Sequence, residues 1–326
     1  MVEFQVSDEL RNRYVKDIDL FLDVLDKASD PEYGPKCDPQ ISGFRVRAAT
    51  ILNDGFWEEA VIGGNTEYGD PRAIHGETSL VNHALNAYGH EKVRELLRVI
   101  ALYSSFGPVT PCGDCRDYLL ASTDPQKLVI VTAGEKDPNV QIHPFTDFLA
   151  PEEGFDVAIS PREAVARIND EDFYTTWFRA LSTRHMGGVN LFSPATTRAV
   201  VLARERPPSQ PKYYEAASCD DGAFHLRFPV GGALQAAATD GAYFVDFIAV
   251  ARSDGEMPRI TYRDRQYANE ADGFNKIAGR QPLKLILDGR DVVRMTTLDK
   301  ALPHSFSTFD FAPEKVEAFL KSKGAL

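Results

Sequence analysis

The two halves of the chain carry the same order of strands and helices. In the first half, alternating and apolar segments predict strands over 44–53, 60–64, 99–105 and 128–132, with helices over 76–88 and 112–122. In the second half, the same reasoning predicts strands over 198–204, 213–218, 247–253 and 283–287, with helices over 231–239 and 262–270. This order predicts an internal duplication and an α/β fold, with two α/β/α sandwich domains that each contain a mixed β-sheet.

Two short motifs in the first half combine the residue types of a catalytic zinc site. His75 and Glu77 are separated by one residue, and Pro111 precedes a Cys-x-x-Cys pair formed by Cys112 and Cys115. This H-x-E…P-C-x-x-C signature is typical of zinc deaminases that act on cytosine or adenine. One histidine and two cysteines can supply three ligands to Zn²⁺ and leave the fourth position for water. Glu77 is then placed to move the protons of that water.

The cysteines leave other interpretations open. The chain has four cysteines, which form no disulfide framework, and a Cys-x-x-Cys pair is also typical of redox sites. A redox pair does not explain the upstream His-x-Glu. A structural zinc site would need a fourth ligand, and the candidates lack the paired spacing: Cys37, His143 and Cys219. His83 lies two turns beyond His75 on the same predicted helix, and we interpret it as an ordinary helix side chain.

The second half has lost this chemistry. In the internal alignment Arg227, Pro229, Thr261 and Asp264 stand opposite His75, Glu77, Cys112 and Cys115. One working site per chain is therefore expected. The predicted organisation is an N-terminal helical segment over 1–40 (one helix over 7–28), a catalytic domain over 41–156, a helical linker over 157–196 (a helix over 161–184) and a degenerate, non-catalytic domain over 197–326.

The net charge and the hydropathy of the chain limit the kinds of partner and the location that are expected. The 326-residue chain has a net charge of −12 and no run of five Lys or Arg residues, which favours a small-molecule substrate over nucleic acid. No segment approaches the roughly 18–20 apolar residues of a membrane span. The N-terminus lacks the basic and apolar regions of a secretory signal, so a cytoplasmic location is expected.

The motifs resemble those of the cytidine deaminase family, in particular its two-domain, dimeric branch. His75-Gly76-Glu77 is similar to the family's His-Ala-Glu, and 111–116 is similar to Pro-Cys-Gly-x-Cys-Arg. Segments 64–67, 43–46 and 301–306 resemble its Gly-x-Asn-x-Glu, Phe-x-Val and Leu-Pro-x-x-Phe segments. The resemblance implies two cytidine-deaminase-like domains, a zinc cofactor and a homodimer with the C-terminal domain at the interface. It also implies that Asn65 and Glu67 bind the ribose and that Phe44 lies against the pyrimidine.

The departures from the family pattern bear on the substrate. Gly76 replaces the usual alanine and Asp117 the usual glutamine, and Arg72 could meet an acidic substituent or simply pair with Asp70. Asn65 could be purely conformational in its turn, and Phe44 could be a core residue. The expected substrate is therefore cytidine, deoxycytidine or a modified cytosine nucleoside, in pyrimidine salvage or nucleoside-antibiotic metabolism. A polynucleotide cytosine deaminase and a non-catalytic zinc-containing binding protein are the alternatives.

Overall fold

The computed structural model describes residues 2–30, 37, 39, 43–55, 58–67, 73–149, 197–206, 209–217, 229–258, 260–289, 292–304, 310 and 312–326. The chain divides into two compact units, Met1–Leu149 and Ala150–Leu326. The predicted linker and its helix over 161–184 lie outside the described residues, as do Arg72, Cys219 and Arg227.

The first unit is built on a five-stranded mixed sheet. In chain order its elements are α1 (Asp8–Arg13), α2 (Ile18–Ser29), β1 (Val46–Asn53), β2 (Glu58–Gly64), β3 (Thr66–Glu67), β4 (Ala73–Ile74), α3 (Gly76–Tyr88), α4 (His90–Leu96), β5 (Val99–Ser104), α5 (Gly113–Ser122), β6 (Val129–Gly134) and β7 (Gln141–Pro144), then a 3₁₀ turn (Phe145–Phe148). The strand order is β2-β1-β5-β6-β7, in which only β5 and β6 are parallel neighbours. The strands β3 and β4 form a separate ribbon that leads into α3.

Helices cover both faces of this sheet. Because successive side chains of a strand point to opposite faces, Ala49 and Ile51 of β1 face α2, whereas Ala48 lies toward the start of α3. Helix α2 packs on β1, β5 and β6, while α3 packs on β1 and β2 and also contacts α5. These layers form the predicted α/β/α sandwich.

The second unit repeats the sheet topology of the first. Its elements are β8 (Thr197–Arg204), β9 (Lys212–Ala217), α6 (Pro229–Thr239), β10 (Phe244–Arg252), α7 (Tyr262–Ile277), β11 (Lys284–Asp288), β12 (Val293–Thr296), α8 (Leu298–Ala301) and α9 (Pro313–Ser322). The strand order is β9-β8-β10-β11-β12, with β10 and β11 as the parallel pair. The two sheets therefore share one strand order and the same orientation at every strand pair, as the matching order of elements in the two halves predicts.

One helix differs in extent from its prediction, and several other elements were not predicted. The single helix predicted over 7–28 is interrupted at residues 14–17, because the chain turns after α1 and leaves Val15 exposed. Ser7 does cap α1 through a hydrogen bond from the Leu10 N–H, as expected of an N-cap. Elements without a prediction are β3, β4, α4, β7, the 3₁₀ turn, β12, α8 and α9. Within the described residues, no helix is both long and apolar enough to cross a membrane.

Gly63 sets how closely α3 approaches the sheet. A Cβ at this position would overlap with backbone atoms of Gly76 and Leu80, with the Leu80 Cα at only 2.8 Å. Backbone cannot rotate away as a side chain can, so Gly63→Ala should lower the free energy of unfolding by about 3 kcal/mol. Gly107→Ala is the matched control, because its nearest neighbour would be the Asp137 Cβ at 3.5 Å. Equal urea midpoints for the two variants would contradict this prediction.

Candidate metal centre

The predicted zinc ligands lie at the N-termini of two neighbouring helices. His75 is the N-cap of α3 and directly follows β4, whereas Cys112 is the N-cap of α5 and follows the loop after β5. Cys115 and Glu77 lie in the first turns of α5 and α3. Two helix N-termini therefore meet at one place, and their partial positive charge favours thiolates there.

The three donor atoms converge in the structure. The His75 Nδ1 lies 3.0 Å from the Cys112 Sγ and 3.3 Å from the Cys115 Sγ. All three atoms lie within 4.8 Å of one another, and the two cysteines are buried. Among the described residues, no fourth His, Cys, Asp or Glu belongs to this group. Catalytic zinc sites commonly have three protein ligands and keep a fourth position open.

The donor set fits a zinc ion. A tetrahedral site with Zn–N of about 2.1 Å and Zn–S of about 2.3 Å holds nitrogen and sulfur about 3.6 Å apart. The observed separations would have to widen by only about 0.3–0.6 Å, which rotation of the side chains can supply. One imidazole and two thiolates also suit the borderline-soft character of Zn²⁺.

The two cysteines differ in their electrostatics. A hydrogen bond from Cys115 and the proximity of His75 hold the pKa of Cys112 well below its usual value. Burial, followed by the neighbouring Cys112, raises the pKa of Cys115 well above its usual value. Two thiolates at this buried place would need a cation to balance their charge. A divalent metal supplies that charge.

Glu77 is buried beside the group without belonging to it. Its side chain is 5% exposed, and burial, reinforced by the charge of Cys112, raises the pKa of Glu77 to about 7. His75 and a hydrogen bond from Cys115 act in the opposite direction. The carboxyl group therefore lies next to the candidate ligands, out of bulk water, in the place that a proton carrier would occupy.

One polar contact of the cysteines was not foreseen from the sequence. The Thr78 Oγ1 lies 3.7 Å from the Cys115 Sγ, within hydrogen-bond range for sulfur. The sequence signal was the hydroxyl residue directly after Glu77, which faces the partner helix only because α3 and α5 pack together.

Asn65 directly follows β2, and its side chain forms hydrogen bonds with the backbone at the start of β1. Its Oδ1 accepts from the Val46 N–H at 2.9 Å, and its Nδ2 donates to the Phe44 carbonyl at 2.6 Å. The amide therefore has a conformational role, as the alternative interpretation proposed. It still has one N–H and one lone pair for a ligand. Phe44 is half-buried, and the side chain of Glu67 lies outside the described residues, so the substrate contacts stay predictions.

The packing around position 76 explains why a glycine stands there. A Cβ at this position would lie 2.9 Å from the Val46 carbonyl oxygen and 3.6 Å from the Ala48 Cβ. The same carbonyl accepts from the Asn65 N–H. The absence of a side chain at Gly76 therefore lets the start of β1 lie directly against the N-terminus of α3.

Among the described residues, His83, His143 and Cys37 lie apart from this group. His83 is exposed on α3, which agrees with its interpretation as an ordinary helix side chain. The ring of His143 on β7 packs against Phe148, with ring centroids 5.4 Å apart. The Cys37 Sγ lies 3.4 Å from the Val46 carbonyl oxygen.

The second unit joins the corresponding helices with hydrogen bonds. Thr261 is the N-cap of α7, as Cys112 is of α5, and its hydroxyl accepts from the Asp264 N–H at 3.0 Å. Asp264, the counterpart of Cys115, is 1% exposed and accepts from the Gly231 N–H at the start of α6 at 2.9 Å. A side-chain carboxylate thus joins the two helix N-termini that a metal would join in the first unit.

An arginine follows Cys115 in the first unit and its counterpart Asp264 in the second. The Arg116 Nε donates to the Pro111 carbonyl at 2.7 Å, and its Nη1 donates to the Phe148 carbonyl at 3.1 Å. Its counterpart Arg265 donates its Nη1 to the Ala301 carbonyl at 2.8 Å. Both arginines therefore bind the short helical turn that follows the last strand of their sheet. Because the second unit keeps this contact without the metal ligands, the contact belongs to the scaffold.

Replacement of Arg116 should destabilise the first unit. Arg116 is fully buried, and Arg116→Met would leave the Pro111 and Phe148 carbonyls without this donor, at a cost of about 2–4 kcal/mol. Urea unfolding should show the loss as a lower midpoint. Arg94→Met removes an exposed arginine of α4 and should change stability by less than about 0.5 kcal/mol. Equal midpoints for both variants would contradict a scaffold role for Arg116.

The structure is thus an α/β protein with two five-stranded mixed sheets, and within its described residues one His-Cys-Cys group could bind a metal. No protein-family model matches the chain, and no curated protein matches it significantly. Among solved structures, it is similar to cytidine deaminase from Burkholderia pseudomallei, with 26% identity and a TM-score of 0.35 over 40% of this chain and 96% of that one. It is also similar to cytidine deaminase from Mycobacterium tuberculosis, with 22% identity and a TM-score of 0.29 over 42% and 95% of the respective chains.

Proposed function

We propose that the chain is a zinc-dependent hydrolytic deaminase that converts the 4-amino group of a cytosine nucleoside to a carbonyl and releases ammonia. The observation that carries the proposal is the convergence of His75, Cys112 and Cys115 beside the buried Glu77. Three donors of this type, with a separate carboxyl group at hand, suit hydrolysis better than structural metal binding. The motif resemblance to cytidine deaminases supports cytosine as the base.

Zinc, when bound, supplies a Lewis acid that makes water nucleophilic at neutral pH. Glu77 takes a proton from the attacking water and passes it to the ring nitrogen next to C4 of the base. A new C–O bond forms at C4 and the C–N bond to the amino group then breaks. The second proton of the water leaves with the amine, again through Glu77, and the products are ammonia and the uracil nucleoside. Burial of Glu77 keeps this transfer away from bulk water.

The proposed substrate contacts are Phe44, which precedes β1, and Asn65 and Glu67, which follow β2. In our proposal Phe44 lies against the pyrimidine face, while Asn65 and Glu67 bind the sugar hydroxyls. An amide and a carboxylate suit hydroxyl groups, and an aromatic ring suits the face of a base. The proposed partner is a free nucleoside rather than nucleic acid, because the net charge of −12 opposes binding to phosphates.

The decisive test is direct assay of the purified chain. With about one zinc per chain, incubation with cytidine or deoxycytidine should lower the ultraviolet absorbance of the base and release one ammonia per nucleoside consumed. A panel of modified cytosine nucleosides, nucleotides and free cytosine defines the preferred substrate. Activity on single-stranded oligonucleotides but on no free nucleoside would replace the proposal with a polynucleotide deaminase. A metal with four protein ligands and no activity on either class would indicate a non-catalytic binding protein.

We also propose that the enzyme is a cytoplasmic homodimer in which the degenerate second unit contributes to the interface. The second unit has kept its scaffold while losing the ligands, which gives it a structural role. Light scattering at assay concentration should therefore give the mass of two chains. A fully active monomer at that concentration would refute this part of the proposal.

A further inference from the structure

We propose that Thr78 is a positioning residue for the metal centre, because its hydroxyl donates a hydrogen bond to the thiolate of Cys115. This inference rests on the proposed function, since it assigns a role to the neighbour of a proposed zinc ligand. It concerns how the ligand is held, and Thr78 itself takes no part in the proton transfers given to Glu77.

The contact joins the two helices at the point where the ligands meet. The Thr78 Oγ1 lies 3.7 Å from the Cys115 Sγ, with Thr78 in the first turn of α3 and Cys115 in the first turn of α5. His75, one turn earlier on α3, places its Nδ1 3.3 Å from the same sulfur. Helix α3 therefore presents both a candidate metal ligand and a hydroxyl group to Cys115.

Because Cys115 is more deeply buried than Cys112, its thiolate depends more on a hydrogen bond from a neighbouring hydroxyl group. Cys115 is 0% exposed, so its sulfur has no access to bulk water, whereas Cys112 is 8% exposed and caps its helix. A buried charge is costly unless polar groups are directed at it. The Thr78 hydroxyl, 3.7 Å from the Cys115 Sγ, is a polar group of this kind.

The direction of the hydrogen bond follows from the state of the ligand. In the free thiol form, either the hydroxyl or the S–H group could donate. A cysteine that ligates zinc is a thiolate and has no proton, so only the threonine hydroxyl can donate. The bond then fixes the sulfur in place and withdraws electron density from it, as hydrogen bonds to metal ligands generally do.

The test compares Thr78→Val with Thr78→Ser in the full chain. Valine has nearly the shape of threonine but has no donor, whereas serine keeps the donor. We expect Thr78→Val to bind zinc about 10-fold more weakly in competition with a chromophoric chelator, and Thr78→Ser to bind within about 2-fold of the native chain. Ser79→Ala, the next residue of the same helix turn, is the matched control and should bind like the native chain. Circular dichroism and thermal melting identify any variant that fails to fold, and Thr78→Ala then replaces valine.

Cobalt substitution provides a readout that a loss of packing would not move. In the Co²⁺-loaded native chain, the thiolates should give ligand-to-metal charge-transfer bands in the near ultraviolet. Removal of the hydrogen bond raises the energy of the sulfur lone pairs, so Thr78→Val should shift these bands to longer wavelength, and Thr78→Ser should not. Native spectra and affinity in Thr78→Val would overturn the role of Thr78 while leaving the proposed function intact. Absence of thiolate bands in the native Co²⁺ protein would overturn the proposed metal centre itself.

Discussion

Glu77→Gln is expected to keep about one zinc per chain and to lose about 10³–10⁴-fold in the rate of cytidine deamination. Glutamine has the shape of glutamate, so the buried pocket beside Cys115 should accept it without repacking. It cannot take up or release a proton, which removes the proposed transfers to the ring nitrogen and to the departing amine. General acid–base catalysis typically contributes about 10²–10⁴-fold, and a group that serves two transfers belongs at the upper end.

The measurement pairs zinc analysis with a steady-state assay of the same preparation. Glu91→Gln makes the same chemical change at an exposed position in the first turn of α4 and should leave both the zinc content and the rate unchanged. Near-normal turnover by Glu77→Gln would exclude Glu77 as the proton carrier. Loss of zinc from Glu77→Gln would instead give Glu77 a role in holding the metal, in conflict with its place outside the donor group.

The sequence predicted the scaffold well because it contains the same pattern twice. Alternating apolar residues located most of the strands of both sheets, and the matching order predicted the shared topology that the structure has. Short segments at the sheet edges were missed. The strand β7 has only four residues and begins with the exposed Gln141, so its pattern is too brief to distinguish from a loop. The break between α1 and α2 was missed because Leu10, Tyr14 and Phe21 keep helical spacing across it.

The metal ligands of the candidate site could be predicted because histidine and paired cysteines in this pattern are typical of zinc binding. His75, Cys112 and Cys115 were identified from residue type and spacing, and the structure brings their donor atoms together. Contacts that depend on how helices pack could not be read in this way. The approach of Thr78 to Cys115 follows from the packing of α3 on α5, and Asp264 was recognised only as a lost cysteine. Its buried hydrogen bond to the Gly231 N–H is a tertiary feature with no local signature.

Cys115→Ala is expected to weaken zinc binding by about 10³-fold and to abolish deamination. Zinc sites with several protein ligands bind with roughly 12 kcal/mol, so one ligand of three accounts for about 4 kcal/mol, which is about 10³-fold in affinity. Alanine leaves the small buried volume of the thiol empty, a minor cost beside the loss of a ligand. The first unit should therefore stay folded, because its two sheet faces and the Arg116 contacts do not depend on the metal.

Thermal melting with and without a chelator distinguishes the loss of a ligand from general damage. A metal that binds only the folded state raises its stability, so a chelator should lower the melting temperature of the native chain. Cys115→Ala should melt near the chelated native chain and should not respond to chelator. Cys37→Ala is the matched control, because this half-buried cysteine contacts the Val46 carbonyl and lies outside the donor group. Cys37→Ala should retain zinc, activity and the response to chelator. If Cys115→Ala also retained all three, Cys115 could not be a ligand, and the centre would have to be rebuilt around His75 and Cys112 alone.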